Sequence, residues 1–205
     1  MKFSTLSALA LALVAPAMGD MTAIVKEIAP NSENCVAGGE CRTAEQAAPY
    51  IESALKKYQI TQPQVQAAVI ALMAFESGSF TYKHNISPGR PGQGTANMQM
   101  ATYNLMYANS FPEVKEKVTQ AGYTTVDSMT DAQLNELLGW VSVDKYNFGS
   151  GPWYLTTQCP ASIREALVAN IDTGFTTYMQ ECVGVEVTED RAAYLTAAKE
   201  AFGLA

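Results

Sequence analysis

One stretch limits the fold more than any other: residues 63–78, Pro-Gln-Val-Gln-Ala-Ala-Val-Ile-Ala-Leu-Met-Ala-Phe-Glu-Ser-Gly. Val65, Val69, Leu72 and Met73 fall at i, i+4, i+7 and i+8, the spacing of a buried helix stripe. Pro63 sits in the first turn, where its missing N–H costs nothing. Thr61-Gln-Pro-Gln64 reads as a capping box, and Gly78 as the stop. The next position on the stripe is Glu76. A carboxylate is therefore expected where a core residue would stand, and burial of a carboxyl raises its pKa. A carboxylic acid kept protonated near neutral pH suits general-acid chemistry.

The remaining segments read as helices around that one. Thr43-Ala-Glu-Gln46 is a capping box opening a helix over 43–58. Further helices are expected over 96–108, 112–120, from Asp127 or Thr130 towards Tyr146, and from Thr188 to Phe202. Residues 81–94 carry Pro88, Gly89, Pro91, Gly92 and Gly94 and read as a long loop with a short hairpin. Residues 147–152 read as a second loop. The expected fold is mainly α, in one domain over residues 20–205.

Residues 1–19 have the pattern of a secretory signal peptide: Lys2, a short apolar run and small residues at its end. That predicts a secreted, extracellular protein with oxidised cysteines. Cys35, Cys41, Cys159 and Cys182 leave three pairings open. Cys35 and Cys41 flank a turn-forming loop that fits a local bridge. A Cys159–Cys182 bridge requires the intervening helix to break, since a straight helix over 161–181 holds its ends ~30 Å apart. Residues 170–174 offer the break, with Gly174 as the stop. The net charge of −7 argues against nucleic acid and against binding to anionic membranes. With one histidine and no CxxC spacing, no metal and no cofactor are expected. A monomer with no membrane insertion is expected.

Gly149-Ser-Gly-Pro-Trp-Tyr with Cys159 resembles secreted fungal muramidase-like proteins, and three motifs in order resemble the wider lysozyme-like superfamily, namely soluble lytic transglycosylases and goose-type lysozymes. The three are Glu76-Ser77 at a helix end, Gly94-Thr-Ala-Asn-Met98-Gln99-Met100, and Tyr146-Asn147-Phe148-Gly149. Asn97 departs from the family, which has an apolar residue there. The resemblance implies a lysozyme-like domain cleaving the β-1,4 bond between N-acetylmuramic acid and N-acetylglucosamine in peptidoglycan or a related N-acetylated polysaccharide. Glu76 is then the general acid, with Gln99, Asn97, Tyr146 and Asn147 as substrate-binding residues. Asp144 is the candidate second carboxylate, its alternative being a structural aspartate satisfied by backbone amides. Anhydro-forming transglycosylation and a chitin-type substrate stay open. The alternative function is a non-catalytic glycan-binding or effector protein on the same fold.

Overall fold

The computed structural model describes residues 20–36 and 39–205. The signal-peptide expectation for 1–19 lies outside the described residues. The chain is mainly α, as its patterning predicts. The helices are α1 Met21–Ile28, α2 Ala44–Lys57, α3 Pro63–Glu76, α4 Ala101–Ala108, α5 Pro112–Gln120, α6 Asp131–Val141, α7 Asp144–Asn147, α8 Ser150–Thr157, α9 Ala161–Ala169, α10 Ile171–Thr177 and α11 Glu189–Ala201. A π-helical turn, Tyr178–Val183, follows α10. Extended pairing among the described residues is confined to isolated antiparallel bridges, His84 with Gly94 and Gly94 with Gln99.

The centre is α3. Every residue from 65 to 74 is buried. The reading of a one-sided stripe is thus corrected: α3 is apolar all round because it is enclosed all round, as such a helix must be. Ala67, Ala68, Ala71 and Ala74 explain how. They favour helix and keep its surface low, so that α1, α8, α9, α10 and α11 all pack on it. Gly151 of α8 sits so close that a Cβ there would lie 2.7 Å from the Met73 side chain.

Capping chemistry sets several boundaries. The Thr43/Gln46 box opens α2, and a second box, Thr130/Gln133, opens α6. The Thr188 hydroxyl caps α11 by accepting from the Arg191 N–H. The box expected at Thr61 does not form. Gln62 precedes α3 without a side-chain cap, and Gln66 instead donates from Nε2 to the Ile60 carbonyl. The loop expected over 147–152 is instead the end of α7 and the start of α8. The helix expected from Ala96 begins only at Ala101.

Both bridges are present, Cys35–Cys41 and Cys159–Cys182. The fold-back that closes the second occurs at Asn170, whose side chain caps α10 by accepting from the N–H groups of Asp172 and Thr173. Gly174 lies inside α10 and has a different task from the one expected. A Cβ there would stand 2.5 Å from the Leu167 backbone, so its missing side chain lets α10 pack against α9.

Candidate functional site

At its C-terminal end α3 leaves the core and turns sharply. Ser77 is fully buried, donates from Oγ to the Met73 carbonyl and accepts from the Phe80 N–H. Gly78, Ser79 and Phe80 follow with φ of 59°, 58° and 63°. Two of these are not glycine, and the left-handed region costs such residues roughly 1–3 kcal/mol each. Thr95 and Met98 also have positive φ, 66° and 46°. Four of the five non-glycine residues with positive φ among the described residues thus flank one cleft. Backbone strain concentrated in this way points to a site.

The cleft encloses ≈ 400 Å³ and is lined by Leu72, Glu76, Arg90, Gln93, Asn97–Met100, Tyr103, Tyr154, Val183, Val185 and Arg191. One wall is the strand-like pairing of loop 81–94 with residues 95–99. Asn85 N–H donates to the Gln93 carbonyl, Thr95 N–H to the Lys83 carbonyl and Gly94 N–H to the Gln99 carbonyl. Gly94 permits this, because a Cβ would lie 2.3 Å from the Lys83 oxygen. Asn85, part of a glycosylation sequon in sequence, accepts at Oδ1 from the N–H groups of Gly89 and Arg90. It thereby fixes the loop tip.

That wall presents amides in one orientation. Gln93 donates from Nε2 to the Met98 carbonyl, and Gln99 donates from Nε2 to Asn104 Oδ1. Each amide is held by its NH₂ end, which leaves the oxygen end over. Gln93 Oε1, Asn97 Oδ1 and Gln99 Oε1 are buried and accept no hydrogen bond. A buried acceptor left without a donor costs about 1–3 kcal/mol, so three in one cleft are a standing demand for donors. Tyr103 and Tyr154, edge to face at 4.9 Å, together with Val183 and Val185, add carbon surface.

Glu76 lies across this space with its side chain 21% exposed. Its partner is Arg191, which donates from Nη2 to Glu76 Oε1 at 3.1 Å. The guanidinium lies 4.5 Å over the Phe75 ring and donates from Nη1 to the Glu186 carbonyl. Arg191 Nε is buried with no acceptor. Burial pushes the Glu76 carboxyl up, and the hydrogen bond and charge of Arg191 pull it back only in part, leaving it above the ordinary range. Tyr178, fully buried with its hydroxyl unpartnered, is pushed far up by burial, with the Glu76 charge contributing.

The structure brings Glu76, Asn97 and Gln99 together and separates the other expected residues. Asp144 faces a different surface. Arg42 Nε donates to both its oxygens, at 2.9 and 2.8 Å, and Lys83 Nζ donates at 2.5 Å. It stands outside the cleft that Glu76 lines, and its partners are cationic side chains and not backbone amides. Tyr146 donates to Glu113 Oε1 at 2.6 Å, and Asn147 is buried with Oδ1 unpartnered; neither lines the cleft. Arg191, Arg90, Gln93 and Tyr103 were missed. No local pattern marks them, since each acquires its meaning from elements distant in sequence. Trp140, Phe148 and Trp153, aromatic residues that could stack on a sugar ring, do not line the cleft, whereas Tyr154 does. A larger cavity of ≈ 580 Å³ lies by Tyr58, Gln62, Arg164 and Val168. None of the buried unpartnered side-chain atoms belongs to its lining, so we place the site at Glu76.

Comparison with known proteins points away from the glycan-cleaving family. No family model matches the chain, and no solved structure matches it. A curated Fusarium oxysporum protein named as a bifunctional dioxygenase–epoxy alcohol synthase is 54% identical over 159 residues. The match covers 78% of this chain and 12% of that protein, so the chain spans a small part of its relative. The lysozyme-like recognition is corrected on this finding. With it fall the hydrolase, glycosidase and muramidase assignments and cell-wall degradation, because the relative's name describes oxidative chemistry.

Proposed function

We propose that the chain is a ligand-binding module whose cleft takes an oxygenated organic molecule bearing O–H or N–H donors. Glu76 exchanges a proton with that molecule or hydrogen-bonds to it. The observation that carries this reading is the set of three buried amide oxygens without donors, on residues that line the same cleft as a desolvated carboxyl. A bound molecule that donates to them removes an unfavourable term already present in the empty cleft. Its carbon skeleton then meets Tyr103, Tyr154 and the valines.

The Fusarium relative favours an alcohol as the ligand, and an epoxy alcohol in particular, since its name specifies that product. Such a molecule offers a hydroxyl to the amides and an epoxide oxygen to which protonated Glu76 donates. A second reading keeps the partner expected from sequence, peptidoglycan or a related N-acetylated polysaccharide, as something bound. It is supported by Asn97 and Gln99, because acetamido and hydroxyl groups satisfy amide oxygens equally well. Export to an oxidising compartment is part of the proposal and is supported by the two disulfides.

The test is NMR of the full chain with labelled side-chain amides. The probes are a long-chain epoxy alcohol and an N-acetylglucosamine tetramer. Binding shifts the side-chain amide signals of Gln93, Asn97 and Gln99. If neither probe moves them at millimolar concentration, the proposal fails. Movement with the saccharide alone selects the second reading.

A further inference from the structure

The charge of the cleft is opposite to that of the chain. The protein carries −7, yet two of the three charged side chains lining the cleft are arginines, Arg90 and Arg191, against Glu76 alone. Arg90 has no carboxylate partner among the described residues. Its guanidinium contacts only the Met100 sulfur, at 3.9 Å. Arg191 is fixed in place by Phe75 beneath it and by the Glu186 carbonyl, but its donors are only partly used. An arginine binds a carboxylate best through two parallel N–H groups. On Arg191 the Nε–Nη2 edge is half occupied: Glu76 takes Nη2, while Nε is buried and empty.

We propose that the ligand of this cleft carries a carboxylate, which occupies the Nε–Nη2 edge of Arg191, displaces Glu76 from it and drives Glu76 to take up a proton. This rests on the cleft being a ligand site. Two carboxylates cannot share the one guanidinium without mutual repulsion, so the displaced one is neutralised. In balance, ionised Glu76, one proton from solvent and the anionic ligand become neutral Glu76 and an Arg191–carboxylate pair. Neutral Glu76 is then a hydrogen-bond donor in the cleft that the unpartnered amides also line. The partial pull of Arg191 on Glu76 agrees with this coupling. Beside Arg191 in the first turn of α11 stand Glu189 and Asp190, with Glu186 just before the helix; Tyr194 of α11 packs on Phe75, Tyr178 in the π turn feels the Glu76 charge, and Tyr154 on α8, Tyr103 on α4 and Arg90 in the loop line the cleft. Among the described residues, no carboxylate other than Glu76 lines the cleft.

Two sources of carboxylate are distinguishable. Titration calorimetry of the full chain, in two buffers of different ionisation enthalpy, uses a hydroxy fatty acid against its methyl ester and N-acetylmuramic acid against N-acetylglucosamine. The acid from the true source binds about tenfold or more tighter than its neutral counterpart. It binds with net proton uptake, and its affinity falls as pH rises. Glu76→Gln abolishes the uptake and makes affinity independent of pH. Arg191→Lys keeps the charge but loses the fork, and weakens the acid about tenfold. Circular dichroism and the melting temperature establish that each variant folds. Equal affinity for acid and neutral counterpart, or acid binding without proton uptake, overturns the carboxylate proposal alone. Absence of binding by all four probes overturns the cleft reading along with it.

Discussion

Glu76 and Asp144 are both carboxylates at helix ends, yet they are bonded very differently. Asp144 accepts three charge-assisted hydrogen bonds, two from Arg42 and one from Lys83. Burial by itself would push its carboxyl up; the bonds and charges of Arg42 and Lys83 outweigh that and hold it below the ordinary range. Arg42 also donates to the carbonyls of Gly39, Glu40 and Cys41, and Glu40 accepts from the Lys83 N–H. Asp144 therefore ties the Cys35–Cys41 loop and loop 81–94 to α7. Glu76 accepts one such bond, and burial prevails. The difference shows that donor count and burial together separate a clamp from a group still able to react.

The largest expected effect comes where the two regions join. Gly94 pairs with Gln99 in the cleft wall and abuts the carbonyl of Lys83, which binds Asp144. Gly94→Ala forces its Cβ against that carbonyl and the Leu138 side chain, and should destabilise by about 3 kcal/mol in urea unfolding. An unchanged midpoint would mean that the two regions are mechanically independent. Asp144→Ala comes next. It leaves Lys83 and Arg42 without their counter-charge and should cost about 2 kcal/mol. A loss under about 0.5 kcal/mol would make the cluster a surface pairing of no structural weight.

The two carboxylates should also respond to pH with opposite sign. The folded pKa of Asp144 is lowered, so its contribution is present above the unfolded value and is lost as pH falls through the folded one. For Glu76 the folded pKa is raised. Its contribution is full below the unfolded value and is lost as pH rises through the folded one. Melting temperatures from pH ~3 to 7 should therefore show Asp144→Asn flattening the acid limb. Glu76→Gln should gain relative to wild type towards neutral pH, by less than about 1 kcal/mol. Parallel curves for the two variants would abolish the distinction. The smallest effect is a titration shift: Arg191→Met removes the bond that lowers Glu76, so its carboxyl signal should titrate higher by NMR. A fall would show that another cation governs it.

Part of this was legible along the chain because its causes are local. Thr43-Ala-Glu-Gln46 and Thr188 announce their helices through hydrogen bonds to their own N–H groups. The break within 161–181 was legible from the cysteine spacing, and it falls at Asn170, inside the expected 170–174; the task of Gly174 was not legible. Gly174 looks like a stop in sequence, and only the approach of Leu167 gives it a packing role. The three motifs behind the family reading were each a few residues long. Two of them meet in the cleft, while Tyr146 is bonded to Glu113 elsewhere. The longer match, over 159 residues, is to a protein whose name describes different chemistry.

Sequence alone determined that the chain is mainly helical, that a helix with a buried apolar stripe precedes Gly78, and that this helix ends at a glutamate beside a glycine turn. Those properties follow from propensity, capping and apolar content within a few residues. Tertiary structure decided what the glutamate is. Its one cationic partner among the described residues, Arg191, lies 115 residues away, and two amides of the same cleft are held by Met98 and Asn104. The state of a carboxyl depends on the donors and the desolvation around it, and packing supplies both.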